Sequence, residues 1–152
     1  MDKPVFNEIK QIGFVVDDIE RVMDAWKEFG LTDWAGPMEV NGAGTENMTQ
    51  RDEPIDYTTL VAINGELNVD IELIQPVTDN SAYAEFLREH GPGLHHLQIG
   101  NEEGFSEMIT FLDQKTGGKT LLKGGPEFFQ YRYYDTTDSL CCITEVLGDV
   151  SE

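Results

Sequence analysis

The stretch IKQIGF at residues 9–14 decides the fold, because LHHLQI at residues 94–99 repeats its pattern of apolar and polar side chains. A second matched pair comes later in each copy, with VDIELI at residues 69–74 and CITEVL at residues 142–147. Few residues are identical between the copies, so the repeat rests on the order and spacing of the segments. The sequence therefore predicts a duplicated module.

Both copies show the hydrophobic pattern of a strand, a helix and three further strands. Runs of apolar and β-branched residues indicate strands, and apolar residues spaced by three and four indicate helices. In the first copy these predictions cover residues 9–16, 19–29, 34–40, 57–63 and 69–75. In the second copy they cover residues 94–99, 105–112, 119–122, 128–134 and 140–147. The dipeptide Asn64-Gly65 predicts a hairpin turn in the first copy.

We expect one domain over residues 1–152, in which the two copies share one sheet system. Module one covers about residues 7–76, a connecting helix about residues 80–90, and module two about residues 93–148. Residues 41–56 contain glycines, a proline and many polar side chains, and we interpret them as a loop of functional length.

The chain is strongly acidic. Its 29 acidic and 10 basic residues give a formal net charge of −19. That charge repels nucleic-acid phosphates and anionic lipid, so neither nucleic acid nor a membrane is expected as a partner.

No apolar run approaches the ~20 residues of a membrane span, and the first residues lack the pattern of a signal peptide. Cys141 and Cys142 are adjacent, a geometry unsuited to an ordinary disulfide, which together with these features predicts a cytoplasmic protein.

Polar side chains occupy matching positions in the two copies. Gln11 matches His96 in the first strand, and Glu72 matches Glu145 in the last strand. If the strands of each module curl toward one cavity, these four side chains converge. An amide oxygen, an imidazole and two carboxylates suit a divalent ion such as Zn, Co, Ni, Mn or Fe. The lack of thiolates favours an open catalytic site over a closed structural one.

Each of these residues taken alone has an ordinary explanation. An isolated strand glutamate usually faces solvent, and either His95 or His96 could be a core histidine that bonds a backbone carbonyl. Because neighbouring strand residues point to opposite faces, only one of the two histidines can reach the cavity. The register with module one selects His96, which matches Gln11 between aliphatic neighbours. The metal-site prediction therefore rests on the joint pattern.

Four stretches resemble the vicinal oxygen chelate superfamily over nearly the whole chain: IKQIGFVVDDIERVMDAWKEFGL, VDIELIQP, SAYAEFLREHGPGLHHLQIG and CCITEVLG. Residues 71–96 most resemble the methylmalonyl-CoA epimerase branch, in which a strand with IELL, a short helix and GLHHI follow at this spacing. The resemblance implies an α+β fold in which two βαβββ modules form a half-barrel cup around a divalent metal. The implied metal ligands are Gln11, Glu72, His96 and Glu145.

Two departures separate the chain from that branch. The epimerases typically have histidine at the position of Gln11, and YRYYDTTDS at residues 131–139 replaces their HPK stretch. The ligand order Gln, Glu, His, Glu is instead that of some glyoxalase I enzymes. The arginine and asparagine that bind glutathione in those enzymes are missing after Gln11 and Glu72. Both branches therefore imply the metal site, and neither fixes the substrate.

Both branches imply a divalent-metal-dependent isomerase, epimerase or lyase that transfers a proton next to a carbonyl group. In that reaction Glu145 is expected to be both ligand and catalytic base. Glu46 in the long loop is a candidate second base, although the more ordinary interpretation of a loop glutamate is a solvated side chain. The expected metal is Zn, Co, Ni or Mn, and the expected assembly is a homodimer. The expected partner is a small-molecule substrate, either an acyl-CoA or another α-carbonyl compound.

Two further groups of side chains bear on the substrate. An aromatic run precedes the last strand and suits either core packing or a cavity wall: Phe128, Phe129, Tyr131, Tyr133 and Tyr134. Four basic residues of the second half are candidates for binding a CoA tail, or for balancing nearby carboxylates: Lys115, Lys119, Lys123 and Arg132.

Two other functions of the superfamily compete with this hypothesis. An extradiol-type dioxygenase usually binds iron(II) through two histidines and one carboxylate. The three histidines of this chain, His90, His95 and His96, are too close in sequence to supply ligands from separate modules. A non-catalytic small-molecule binding protein of the bleomycin-resistance type is the alternative that stays open.

Overall fold

The computed structural model describes residues 6–100 and 104–151, which contain ten strands and four helices. The strands are β1 (Glu8–Val15), β2 (Trp34–Val40), β3 (Thr49–Gln50), β4 (Glu53–Pro54), β5 (Thr59–Asn64), β6 (Asp70–Pro76), β7 (Gly93–Gly100), β8 (Leu122–Gly124), β9 (Phe129–Tyr134) and β10 (Ile143–Asp149). The helices are α1 (Ile19–Glu28), α2 (Ala82–His90), α3 (Phe105–Thr116) and α4 (Thr137–Leu140).

All ten strands join one mixed sheet in the order β2-β5-β6-β1-β7-β10-β9-β8-β3-β4. In each module the first strand pairs in parallel with the last, β1 with β6 and β7 with β10. The modules meet where β1 pairs antiparallel with β7, which sets Gly13 opposite His96. The sheet curls into a half-barrel with helices packed on it. The α+β fold expected from the resemblance is confirmed.

Apolar residues hold the helices against the sheet in three clusters. One lies between α1 and the outer face of module one and includes Ile19, Met23, Ala62, Ile71 and Leu73. Another lies between α3 and the outer face of module two and includes Phe105, Met108, Leu112, Tyr134 and Val146. The remaining cluster joins the inner face of the sheet to α2 and includes Val15, Met48, Tyr57, Ile74, Tyr83, Leu122 and Tyr133. Because strand residues alternate between faces, the polar side chains of β1, β6, β7 and β10 lie on the inner face beside this last cluster.

The helix boundaries follow local capping chemistry. The Asp18 carboxylate accepts a hydrogen bond from the backbone N–H of Arg21 at 3.1 Å, which satisfies an otherwise free donor in the first turn of α1. Ser81 does the same for Ala84 in α2. Gly30 follows α1 with a φ of 100°, a left-handed conformation that suits glycine. The predicted start of α1 at residue 19 is therefore confirmed, and the helix ends at Glu28, one residue before the predicted end.

The prediction of a simple loop over residues 41–56 is wrong in part. Strands β3 and β4 form a hairpin in this segment, and its two turn residues, Arg51 and Asp52, both have positive φ. Strand β3 then pairs with β8, so a segment of module one adds to the sheet edge of module two. The Gln50 carboxamide oxygen accepts the N–H of Ala82 at 2.7 Å and anchors the hairpin to α2. Strands of two residues carry no periodic pattern that a sequence analysis could detect.

Two strands of module two begin later than predicted, β8 at Leu122 and β10 at Ile143. Helix α4 occupies the chain before β10 and ends at Leu140, and the next residue, Cys141, redirects the chain with a φ of 62°. In the part of the chain that the structure describes, no helix has the length and apolar character needed to cross a membrane.

Candidate metal centre

Three acidic or imidazole side chains meet on the inner face of the sheet. Glu72 comes from β6, His96 from β7 and Glu145 from β10, so both modules contribute. The Nε2 atom of His96 lies 3.3 Å from Oε1 of Glu72 and 3.1 Å from Oε2 of Glu145. One ligand atom of each residue falls within 4.8 Å of the other two. This is a spacing at which one ion could contact all three.

Sheet register explains why these side chains share one face. Gly13 of β1 is paired with Glu72 on one side and with His96 on the other, so both neighbours project to the face that Gly13 occupies. Glu145 is paired with Gln98, which lies two residues after His96 and therefore on the same face. Strand alternation thus brings residues of three strands to one point.

Gly13 is required by the position of the His96 ring. A Cβ atom at residue 13 would lie 2.0 Å from Cε1 and 2.4 Å from Nε2 of His96. A contact of that length is a clash, and the ring has no free volume to move into because its side chain is 0% exposed. The absence of a side chain at residue 13 therefore makes the space in which the imidazole sits.

Gln11 lies on the same face, two residues before Gly13, and is paired with Gln98 across β7. It is only 6% exposed, and its Oε1 atom has no hydrogen-bond partner in the described part of the chain. Oε1 of Glu72 and Oε2 of Glu145 also lack a hydrogen-bond partner there, since their approach to His96 is an ion-pair contact without hydrogen-bond geometry.

Buried oxygens without partners are costly, because each has given up its hydrogen bonds to water. The two carboxylate oxygens beside the imidazole nitrogen of His96, together with the Gln11 oxygen on the same face of the sheet, have the donor chemistry of a hard or borderline divalent cation. The side chains of Gln11, Glu72, His96 and Glu145 therefore fit a metal ion.

The charges of the site perturb each other strongly. Burial alone would lower the pKa of His96, but the carboxylates of Glu145 and Glu72 outweigh it and raise that pKa to about 9. Burial raises the pKa of Glu72, and the charge of Glu145 adds to the rise, while His96 opposes it. In the metal-free protein the imidazolium is thus the cation that the two carboxylates hold between them.

His95 falls at the register shift in the pairing of β1 with β7, so strand alternation is interrupted there and its ring lies next to that of His96, in a different environment. Its Nδ1 atom is 2.9 Å from Nδ1 of His96, and its ring packs against Tyr83 and Phe86. Burial, reinforced by the nearby charge of His96, lowers the pKa of His95 well below its usual value. His95 is therefore a neutral ring, and its contact with His96 fixes the orientation of that imidazole.

A cavity of about 240 Å³ opens beside the centre, and both Glu72 and Glu145 line it. The other lining residues are aliphatic, methionine, threonine or tyrosine: Met38, Val40, Val61, Ile63, Ile74, Thr59, Tyr57, Tyr83, Tyr131 and Tyr133. The Tyr133 hydroxyl oxygen lies 3.5 Å from Nε2 of His96. A larger cavity of about 570 Å³ lies elsewhere, between α2 and α4, and none of the three clustered side chains lines it.

The structure does not bring Glu46 to this cavity. Its side chain is exposed in the segment between β2 and β3, and its backbone carbonyl accepts the N–H of Gly125 at 2.8 Å. Among the described residues, the carboxylates that line the cavity are Glu72 and Glu145.

The aromatic run before β10 divides between the two faces of the sheet. Tyr131 and Tyr133 line the cavity, whereas Tyr134 packs under α3. Phe128 and Phe129 are exposed. The alternation of β9 therefore resolves the two interpretations, with a cavity wall on one face and core packing on the other.

Sequence reasoning missed several residues of the site. Gln98 is buried beside Gln11 and Glu145, and its signal was its position two residues after His96 on the same strand. The role of Gly13 could not be predicted from the sequence, because it depends on which residue of β7 lies opposite Gly13 in the sheet. Tyr57 and Tyr83 reach the cavity from outside the aromatic run, which only tertiary packing decides.

Comparison with known proteins agrees with this architecture. The sequence profile of the glyoxalase/bleomycin resistance protein/dioxygenase superfamily matches residues 10–114. The chain belongs to this superfamily. The matched part spans β1 to α3 and includes Gln11, Glu72 and His96. A search of curated protein sequences gives no match.

Solved structures share the fold of this superfamily member at low identity. The methylmalonyl-CoA epimerase of Streptomyces coelicolor, in complex with 2-nitronate-propionyl-CoA, aligns with a TM-score of 0.63 and 15% identity over 93% of this chain and 96% of that one. The Mycobacterium tuberculosis epimerase aligns with a TM-score of 0.59 and 14% identity over 97% and 91%. A hypothetical protein of Bacillus halodurans C-125 gives 0.59 and 18% over 92% of each chain. At such identity the similarity establishes the fold alone.

Proposed function

We propose that this protein is a divalent-metal-dependent isomerase, epimerase or lyase that transfers a proton next to a carbonyl group. The observation that supports it is a set of three buried oxygens without hydrogen-bond partners, from Gln11, Glu72 and Glu145, which accompany His96 beside a substrate-sized cavity. Buried polar groups without partners, beside perturbed titratable groups in a cavity, are a physical marker of a functional site.

The four side chains would hold one ion of Zn, Co, Ni or Mn. Bound there, the ion supplies Lewis-acid stabilisation of the negative charge that develops on the substrate oxygen when the neighbouring carbon loses its proton. Gln11 and His96 are neutral donors, so the two carboxylates balance the charge of a divalent ion. Superfamily membership supports this assignment, because its members typically bind divalent metals.

Glu145 is the proposed base. Its carboxylate lines the cavity and can reach a substrate carbon placed there, where it would accept the α-proton and return it. Glu72 faces the same cavity from the other module. Its carboxylate could therefore return the proton to the substrate carbon from a second direction. Glu46 is exposed outside the cavity and has no part in this proposal.

The substrate is proposed to be an acyl-CoA or another α-carbonyl compound. The acyl-CoA option draws on epimerases of the same fold, one of which is solved with methylmalonyl-CoA. A homodimer is part of the proposal through the family resemblance. The alternative function, a non-catalytic binding protein of the bleomycin-resistance type, uses the same cup without moving a proton.

Solvent-deuterium exchange tests the proposal. The metal-loaded protein is incubated in D₂O with a panel of acyl-CoA esters, α-hydroxyketones and hemithioacetals, and deuterium at the α-carbon is followed by NMR. We expect incorporation with at least one class, and its loss in Glu145→Gln measured at matched metal occupancy. Glu127→Gln, which changes an exposed glutamate outside the cavity, is the control and should exchange normally. A loaded protein that binds panel members but exchanges none of them would support the alternative function.

A further inference from the structure

The wall of the cavity beside the metal centre carries no cationic side chain among the described residues. Apart from the two carboxylates, every lining residue is neutral, and most are apolar or aromatic. Module one supplies aliphatic side chains, among them Val61, Ile63 and Ile74. Module two supplies the rings of Tyr131 and Tyr133. A substrate group in this cavity therefore meets an apolar face on one side and ring faces and edges on the other.

The basic residues considered for a CoA tail lie elsewhere. Arg132 alternates with Tyr131 and Tyr133 along β9, so it points to the opposite face of the sheet, and its guanidinium donates to the Gln130 carboxamide. Lys123 is its cross-strand neighbour on that outer face. Lys115 lies on α3 with its ammonium 5.4 Å from the ring centre of Phe111.

Lys119 and Arg51 also lie away from the cup. Lys119 lines a separate cavity near Thr116 and Thr120. Arg51 is held by two hydrogen bonds to the carboxylate of Glu85. A polyanion at the cup would thus meet the negative field of the chain without local compensation from these side chains.

The tyrosine hydroxyls add polarity without charge. Burial raises the pKa values of Tyr57, Tyr83, Tyr131 and Tyr133, so all four are protonated at neutral pH. The hydroxyls of Tyr57 and Tyr131 hydrogen-bond each other, as do those of Tyr83 and Tyr133, so each pair keeps one O–H with which to donate to a neutral oxygen.

The size of the cavity limits its occupant. A protein cavity of about 150 Å³ holds one benzene molecule. At about 240 Å³ this cavity has room for one ring and a short oxygenated chain. A group of this size would place its oxygens toward the ion that Glu72 and Glu145 would hold and its ring between the tyrosines and the aliphatic wall.

We propose that the cup binds a neutral oxygen-bearing substrate, such as an α-hydroxyketone, that carries an aryl or branched-alkyl group, and that it disfavours anionic acyl-CoA esters. This inference rests on the proposed function, and it narrows the substrate class for the same site. The observation that supports this substrate class is the position of an uncharged aromatic wall next to the carboxylate pair of the proposed metal site.

A matched pair of chelators tests the inference without turnover. Acetohydroxamate and benzohydroxamate have the same metal-binding group and differ in a methyl against a phenyl substituent. Their dissociation constants for the Co(II)-loaded protein are measured by titration calorimetry and from the Co(II) absorption spectrum. Burial of the phenyl group should make benzohydroxamate bind about ten- to hundredfold more tightly.

Variants locate the effect in the cup. Val61→Phe narrows the cavity and should reduce the preference for benzohydroxamate at least about tenfold, with acetohydroxamate changed less than about threefold. Val77→Phe makes the same change at a position that is 56% exposed and outside the cavity, and it should keep the wild-type preference. The wild-type comparison is decisive by itself if Val61→Phe fails to fold.

The outcomes separate this inference from the proposed function. Equal affinity for the two hydroxamates, or α-deuterium exchange that is fastest with a CoA thioester, overturns the substrate class while the metal-dependent reaction stands. A strong phenyl preference without exchange of any substrate supports the apolar cup and rejects the reaction. A protein that binds no Co(II) overturns both.

Discussion

The two modules share their order of elements and differ in what their first strands contribute to the centre. Module one places Gln11 and Gly13 on the inner face of β1, and module two places His96 and Gln98 on the inner face of β7. The last strands match, with Glu72 in β6 and Glu145 in β10. The duplication therefore preserves the carboxylate pair and allows the first strands to differ.

The difference between the first strands has a steric cause. Antiparallel pairing sets Gly13 against His96 and Gln11 against Gln98. The imidazole of His96 lies over residue 13 and takes up the space of a side chain there, whereas the two carboxamides of Gln11 and Gln98 are paired without such a gap. One module can thus supply a ring ligand only because the other supplies a glycine. The site is a property of the strand pair, not of either module.

The largest expected effect comes from removing the ring. His96→Gln leaves both modules with a carboxamide and removes the nitrogen to which both carboxylates point. We expect the metal dissociation constant to rise by more than ~100-fold, since imidazole nitrogen binds these ions far better than a carboxamide oxygen does. Titration calorimetry with Zn(II) or Co(II) measures it. His90→Gln, a change at an exposed histidine, should bind metal like the wild type.

A side chain at residue 13, opposite His96, should have the next largest effect on metal affinity. Gly13→Ala places a Cβ inside the His96 ring volume, so the ring must turn away from the carboxylates. We expect metal affinity to fall by about 10- to 100-fold. Gly93→Ala changes a glycine of β7 whose added Cβ would have no neighbour within 4 Å, and it should leave affinity unchanged. Wild-type affinity in Gly13→Ala would show that the ring position does not control binding.

Competition between a proton and the metal ion for His96 should make metal affinity depend on pH, with a smaller effect per pH unit than the two substitutions above. With the pKa of His96 raised to about 9, the metal must displace a proton below that pH. Affinity should therefore rise about tenfold per pH unit between pH 7 and 9 and level off above. The raised pKa also stabilises the metal-free fold below pH ~6.5, the unfolded value, and this contribution is lost as the pH rises through 9.

Melting temperatures of the metal-free protein, compared with those of His96→Gln, provide the second measurement. The wild-type melting temperature should fall more than that of the variant between pH 6.5 and 9. Metal affinity that is independent of pH in this range would contradict the assignment of His96 as a protonated, carboxylate-bound ring in the metal-free state.

The smallest effect is expected at the amide ligand of module one. Gln11→Leu removes a buried oxygen without a hydrogen-bond partner and keeps most of the side-chain volume. We expect about tenfold weaker metal binding together with a higher melting temperature of the metal-free protein, because an unsatisfied polar group is lost. A higher melting temperature with unchanged metal affinity would remove Gln11 from the ligand set.

The parts of this fold that the sequence predicts are those governed by periodicity. The repeat is sufficient to select His96, which matches Gln11, and it identifies Glu72 and Glu145 as equivalent positions. Strand alternation does not separate the two histidines, because the register of β7 shifts at His95 and the two rings are in contact. The β3–β4 hairpin, the role of Gly13 and the place of Gln98 depend on register between strands far apart in the chain, which a single sequence does not encode locally. The exposure of Glu46 likewise depends on how the hairpin segment packs.

Metal content of the purified protein tests the central claim most directly. After incubation with Zn(II) or Co(II) and removal of free ion, elemental analysis should find one ion per chain in the wild type, and far less than one in a Glu72→Gln, Glu145→Gln double variant of unchanged secondary structure. A wild-type protein that retains no ion, and whose melting temperature none of Zn, Co, Ni or Mn raises, would contradict the account.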